Sequence, residues 1–269
     1  MTTVALMGDV HGNRSWVRSR LQSIGERGDV RTVIQLGDWG LLWPGASSRR
    51  MTDEASTLCQ RYDLDLLIIE GNHDNADALS QRWQDPRNRS ADDRALPLHL
   101  ADRVAVMPRG YRFAIAGRTF VCLGGATSLD RGHRTEGKDW WPAEAITDEQ
   151  VALATEGGYA DVLLSHETVD VPYAVPAVEE ILANDPWGWP ADALAASAGS
   201  RRQVTAAVEA VGPRAVFHGH MHCSGTRTVR LPGRDFDTTI HSLHRDGHAS
   251  NLLLLDVEPL TPVTRGRAR

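Results

Sequence analysis

Residues Leu64 to Asp74 read Leu-Asp-Leu-Leu-Ile-Ile-Glu-Gly-Asn-His-Asp. From Leu64 to Ile69 the run is apolar and β-favouring, the mark of a strand buried on both faces. It stops at Gly71 and gives way at once to Asn72, His73 and Asp74. The strand therefore delivers an amide, an imidazole and a carboxylate to a sheet edge, and carboxyl ends of strands in α/β proteins are where ligands collect. Alone the stretch is only suggestive; its weight comes from other apolar runs that end in the same way.

Upstream, Thr3 to Met7 ends at Gly8-Asp9-Val10-His11-Gly12-Asn13, and Asn13 is placed to cap a helix whose stripe is Trp16, Val17, Leu21 and Ile24. Asp29 to Leu36 ends at Gly37-Asp38-Trp39-Gly40, and a helix is expected over Asp53 to Tyr62. This β-α-β-α-β order implies parallel pairing with right-handed crossovers. Downstream, Val104 to Met107, Tyr111 to Ala116 and Thr119 to Leu123 read as an antiparallel meander. Gly124 to Glu144 is a long irregular insertion. A helix is expected from Thr147 to Glu156, and Asp161 to Leu164 delivers Ser165-His166-Glu167. A Pro- and Trp-rich passage runs to Pro190, followed by a helix over Arg201 to Val211 that Gly212-Pro213 ends. Ala215 to Phe217 delivers His218-Gly219-His220-Met221-His222, and strands over Thr226 to Leu231, Phe236 to Ser242 and Asn251 to Val257 complete the chain. One domain over residues 1–260 is expected, with a disordered basic tail over 261–269.

Composition narrows the function classes. The chain has 269 residues, 41% of them hydrophobic, enough for a sizeable core without covalent staples. Its 3 cysteines, Cys59, Cys122 and Cys223, lie far apart, so neither a disulfide framework nor a thiolate zinc site is suggested. The sequence enters a strand-like run by Val4 with no basic segment before a long apolar core, and no stretch approaches membrane-spanning length, so a cytoplasmic location is the expectation. A net charge of −6 disfavours coating long nucleic acid, whose binding is dominated by phosphate neutralisation. A small phosphorylated substrate stays open, because a few Arg and a metal supply local positive charge.

The strand ends together offer Asp9, His11, Asp38, Asn72, His73, Asp74, His166, His220 and His222. Residues i and i+2 of an extended segment face one way, so Asp9 with His11, and His220 with His222, are each expected to reach a common site. Imidazoles, carboxylates and an amide oxygen without thiolates suit borderline first-row cations, with manganese the first choice and Fe, Zn, Co or Ni alternatives. Even without His73 and Asp74, the remaining seven exceed what one such ion takes; two ions sharing Asp38 use those seven.

These motifs resemble those of the calcineurin-like metallophosphoesterases: Asp-x-His, Gly-Asp, Gly-Asn-His-Asp, a lone His and Gly-His-x-His, in that order, from Asp9 to His222. The resemblance implies a sandwich of two mixed sheets in four α-β-β-α layers. It implies that Asp9, His11, Asp38 and His222 hold one metal, and Asp38, Asn72, His166 and His220 the other. It further implies that a bridging hydroxide attacks a phosphoryl group in line, with His73 acting on the leaving oxygen. Asp74 is read as orienting His73, and Arg134, Trp39 and Trp141 as substrate contacts. Arg131, Trp43 and Trp140 belong to the same cleft reading. His218 is read as a hydrogen-bonded neighbour, and His99, His133, His241, His244 and His248 as surface or structural.

Departures from the family narrow the substrate. The protein Ser/Thr phosphatase branch carries Gly-Asp-x-x-Asp-Arg-Gly and an Arg just before Gly-Asn-His-Glu; here those places hold Gly37-Asp38-Trp39-Gly40-Leu41 and Glu70, so a phosphoprotein is disfavoured. The insertion from Gly124 to Glu144 resembles that of bacterial and phage-encoded members. The expected activity is hydrolysis of a small phosphomonoester or phosphodiester, with a nucleotide among the candidates. A nuclease or nucleic-acid end-processing phosphatase is the alternative, and a non-catalytic scaffold like the retromer subunit the more distant one.

Overall fold

The computed structural model describes residues 2–45 and 47–263. Thr3–Met7 (β1) is buried along its whole length, as an unbroken apolar run must be when both faces of a sheet are covered. Asn13 ends the loop after β1 and caps α1 (Arg14–Gly25), its side chain accepting the Trp16 N–H. Val30–Gln35 (β2), α2 (Ser47–Tyr62) and Asp65–Ile69 (β3) follow, and β1, β2 and β3 pair in parallel. α3 (Ala76–Gln84), β4 (Leu98–Ala101) and β5 (Val104–Met107) come next; β5 runs parallel to β3 and antiparallel to β4. β6 (Arg112–Ile115) and β7 (Arg118–Leu123) form a hairpin that begins the second sheet. α4 (Asp148–Glu156) starts on a capping box in which Thr147 and Gln150 satisfy each other's backbone. β8 (Val162–Ser165), α5 (Pro176–Asn184), α6 (Ala191–Val211) and β9 (Ala215–His218) lead to β10 (Gly225–Arg230), β11 (Asp237–Ser242), β12 (Leu252–Asp256) and β13 (Thr261–Pro262).

The strand orders are β13-β12-β1-β2-β3-β5-β4 and β10-β11-β9-β8-β7-β6, both mixed. One apolar cluster fills the space between the sheets, joining Leu6, Ile34, Leu36 and Met107 to Phe120, Leu164 and Phe217. A second lies between the first sheet and α1 to α3, and a third between the second sheet and α4 to α6. Two mixed sheets are thus flanked by helices. Each large side chain so enclosed contributes roughly 1.5–3 kcal/mol. Among the described residues no helix is long and apolar enough to cross a membrane.

The structure corrects four expectations. The strand at Val104–Met107 does not belong to a meander with β6 and β7: it completes the first sheet, and the chain changes sheet at the turn before Arg112. Local alternation reports a strand but not its partner. The Pro- and Trp-rich passage contains α5, which places Pro176 at its first turn, where the missing N–H has no intrahelical partner to lose. α6 also begins ten residues before the expected Arg201. Its first half is rich in Ala, whose helix propensity is high but which draws no apolar stripe. Of the tail read as disordered, Thr261–Pro262 pairs with β12, and residues 264–269 lie outside the described residues.

Candidate metal centre

The loops after β1, β2, β3, β8 and β9 leave the carboxyl ends of parallel strands from both sheets and meet at one edge of the sandwich. They bend sharply there. His11, Asp38, His220 and His222 all have left-handed backbones, with φ of 45°, 59°, 68° and 49°. Each such non-glycine residue costs roughly 1–3 kcal/mol, and strain of this kind gathers at functional sites. The extended i, i+2 geometry expected for the two His-containing pairs is therefore not what brings them together; tight left-handed turns do so. Two glycines make the approach feasible. A Cβ at Gly37 would collide with the His166 ring, and one at Gly219 with the Asp9 carboxylate.

Asp9, His11, Asp38 and His222 each offer a ligand atom such that all four lie within 4.8 Å of one another. His222 Nε2 stands 3.2 Å from Asp9 Oδ2, and His11 Nε2 3.3 Å from Asp38 Oδ2. The His11 and His222 rings meet edge to face with their Nε2 atoms 3.2 Å apart. Behind this group, His166 Nε2 lies 3.2 Å from Asp38 Oδ1 and 2.9 Å from Asn72 Oδ1. The His220 ring sits 5.1 Å from that of His166, centre to centre.

The donor set fits cations. His166 Nδ1 is 2.7 Å from the Leu36 carbonyl, which fixes the ring proton there. Its Nε2 then faces two oxygens, and only further positive charge, a proton or a metal, reconciles those three atoms. Burial works against a charged His166, yet the Asp38 carboxylate pushes its pKa up to about 10. Burial likewise opposes charge on His11, and Asp38 raises it to about 9. Burial favours the neutral form of Asp38, but His166, His73 and His11 hold it well below the usual carboxylate range. Among the described residues His220 Nε2 is buried without a hydrogen-bond partner, as a lone pair reserved for an ion would be.

Further residues brace the ligands. The His220 N–H donates to Asp9. The Asp246 N–H and Asn251 Nδ2 both donate to the Asp9 carbonyl, at 2.8 and 3.1 Å. Asp246 also accepts from Asn13 Nδ2 at 2.7 Å and stands 3.6 Å from His11 Nδ1. None of these carries a sequence signal beyond being polar near a strand end, and their partners lie more than two hundred residues away.

His73 presents its ring at the mouth, with its N–H backbone donor on Asp38 Oδ1 at 2.8 Å and its carbonyl accepting from Trp43 Nε1 at 2.7 Å. The Arg134 guanidinium contacts both His73 ring nitrogens, at 2.8 Å from Nδ1 and closer to Nε2, and lies 2.6 Å from Asp130 Oδ2. Burial lowers the His73 pKa to about 4, and the Arg134 charge adds to that, partly offset by Asp38.

Four expected site residues lie elsewhere. Asp74 does not touch the His73 ring: its carboxylate accepts the N–H groups of Gly40, Leu41 and Gly71, each at 2.7 Å, tying the β2 and β3 loops together. Trp39 is fully buried in the core, donating to Thr52 Oγ1. Trp141 is also buried, edge to face with Trp43. Arg131 pairs with Asp192 rather than turning to the centre. His218 is buried against Thr168 and the Gly219 carbonyl, as expected of a hydrogen-bonded neighbour. By contrast, Trp187, Trp189 and the stacked pair His244 and His248, none expected at the site, line a cleft of ≈ 570 Å³ with His11, Asp38, Asn72, His73, His220 and His222.

A comparison with curated proteins finds no match. Among solved structures, one crystal structure resembles the chain over 97% of both molecules at 10% identity with a TM-score of 0.56, a likeness of fold. A hypothetical protein from Thermus thermophilus is similar over 92% of this chain and 78% of its own at 16% identity, with a TM-score of 0.40. The family model described as calcineurin-like phosphoesterase matches residues 2–224, which hold every ligand candidate above. The chain belongs to the calcineurin-like phosphoesterase family.

Proposed function

We propose that the protein is a dinuclear metal-dependent hydrolase of small phosphomonoesters or phosphodiesters. The observation that carries this reading is the position of Asp38. Its Oδ2 faces His11 in the Asp9–His222 group, while its Oδ1 faces His166 beside Asn72, so one carboxylate serves two adjoining donor sets. Asp9, His11, Asp38 and His222 would hold one ion, and Asp38, Asn72, His166 and His220 a second. When bound, such ions supply Lewis acidity toward phosphoryl oxygens and a water of lowered pKa.

The remaining work falls to side chains. His73, held neutral by burial and by Arg134, donates a hydrogen bond from its ring N–H to the leaving oxygen and stabilises the charge that develops there. Arg134, fixed by Asp130, supplies the positive charge that a neutral imidazole lacks. The cleft volume suits one nucleotide-sized molecule rather than a polymer. Trp187, 56% exposed on the cleft wall, offers a face for an aromatic leaving group. Hydrolysis of p-nitrophenyl phosphate and bis(p-nitrophenyl) phosphate before and after exhaustive chelation tests the reading. Activity is expected to vanish on chelation and return with Mn²⁺; undiminished turnover in the chelated protein would remove the mechanism.

A further inference from the structure

We infer that Ser128 and Glu144, at the two ends of the Gly124–Glu144 insertion, are positioning residues that fix which face of the Asn72 carboxamide meets the second ion; this rests on the dinuclear reading above. The three residues are buried, at 2% exposure or less. Glu144 accepts two bonds from Ser128, one from its N–H at 2.6 Å and one from its hydroxyl at 2.7 Å. The Asn72 Nδ2 in turn donates to Ser128 Oγ at 3.0 Å.

This chain has one polarity. A carboxylate has no proton to give, so the hydroxyl hydrogen of Ser128 goes to Glu144, and the Ser128 oxygen is left to accept. Only the NH₂ side of Asn72 can satisfy it. The carboxamide oxygen is thereby turned the other way, to 2.9 Å from His166 Nε2, where a cation needs a lone pair. A flipped amide would present two hydrogens there instead. Glu144 is itself fixed from behind: Arg109 donates to the carbonyls of Ala143, Glu144 and Ala145, and pairs with Glu70 in the residue pair before Asn72. The insertion thus works as an amide clamp.

Glu144→Gln keeps shape but reverses the polarity. The Gln oxygen still accepts the Ser128 N–H, while its NH₂ now faces the Ser128 hydroxyl. That hydroxyl must donate toward Asn72, whose oxygen turns to receive it and whose NH₂ turns to the ion. Calorimetric titration of the metal-free protein with Mn²⁺ alone should find two equivalents in wild type. In Glu144→Gln, affinity for the second should fall roughly 10–100-fold, the range for loss of a ligand-orienting partner, with the first unchanged. The spin-coupled two-manganese resonance spectrum should give way to that of an isolated ion.

Ser128→Ala, which frees the amide without reversing it, should lose less. Adding Glu144→Gln to Ser128→Ala should then cost nothing more, a dependence that a merely structural role would not produce. Unchanged second-ion affinity in Glu144→Gln, equal losses at both ions, or additive losses in the double variant would each overturn the clamp. If Glu144→Gln does not fold, Ser128→Ala decides, and wild-type affinity there overturns it. A wild-type protein that binds a single equivalent would instead bring down the dinuclear reading, and the clamp with it.

Discussion

The two donor sets that share Asp38 are built differently. The outer one, Asp9, His11, Asp38 and His222, opens to the cleft, with His11 and His222 side chains 23% and 38% exposed. The inner one is enclosed, with His166 at 0% and His220 at 6%. The outer set is held by strained turns at His11, Asp38 and His222 and by Asp246 and Asn251, so its geometry is largely backbone-made, and the inner His220 shares one such turn. The inner set includes a neutral amide and two buried imidazoles whose hydrogen-bond roles must be imposed by neighbours. The contrast teaches that a cluster of like chemistry can owe one half to turn geometry and the other to proton placement.

The largest expected effect comes from removing the residue common to both. Asp38→Ala should abolish ion uptake at both positions and all measurable turnover, read by metal content and initial rates; retention of one tight ion would mean that the halves do not share it. His73→Ala should keep both ions while lowering kcat by about 10²–10³-fold, the range for loss of one hydrogen-bond donor to developing charge. Loss of metal in that variant would assign His73 to the ion site instead.

Arg109→Ala probes how the inner half is anchored. Burial pushes the Glu70 pKa up and Arg109 holds it back, so removing the guanidinium leaves a buried acid without its partner. Chemical denaturation should show a loss of roughly 3–5 kcal/mol, and a loss under about 1 kcal/mol would show that Glu70 is indifferent to it.

The last effect concerns pH. In the metal-free protein His11 and His166 stand near 9 and 10, above the ordinary histidine value. Groups raised on folding stabilise fully below their unfolded pKa, near 6.5, and that stabilisation is lost as pH rises through the folded values. Metal-free protein should therefore melt at falling temperatures between pH 6.5 and about 10. The ion-loaded protein, in which metal replaces those protons, should not. Parallel melting curves would contradict the assignment.

Much of the fold was legible because buried parallel strands are continuous apolar runs, as at Val4–Met7 and Leu66–Ile69, and because each ends on polar residues. The candidate ligands were legible for the same reason. Their mode of convergence was not: Asp9 with His11 looks like an alternating strand, whereas the actual turn at His11 is left-handed. Trp39 and Trp141 show that an aromatic beside a motif carries no signal of which way it points. Asp74 shows the same for a carboxylate, since three N–H donors from two loops outcompete one imidazole for it. Ser128 and Glu144 were hidden inside an insertion without periodicity, and α5 behind the prolines and tryptophans around it.

The count and place of the ions test the account most directly. Anomalous scattering from crystals soaked in Mn²⁺ should give two peaks roughly 3.5–4 Å apart, one on either side of the Asp38 carboxylate, with Asn72 Oδ1 toward the inner peak. A single peak, or a pair that Asp38 does not bridge, would contradict it.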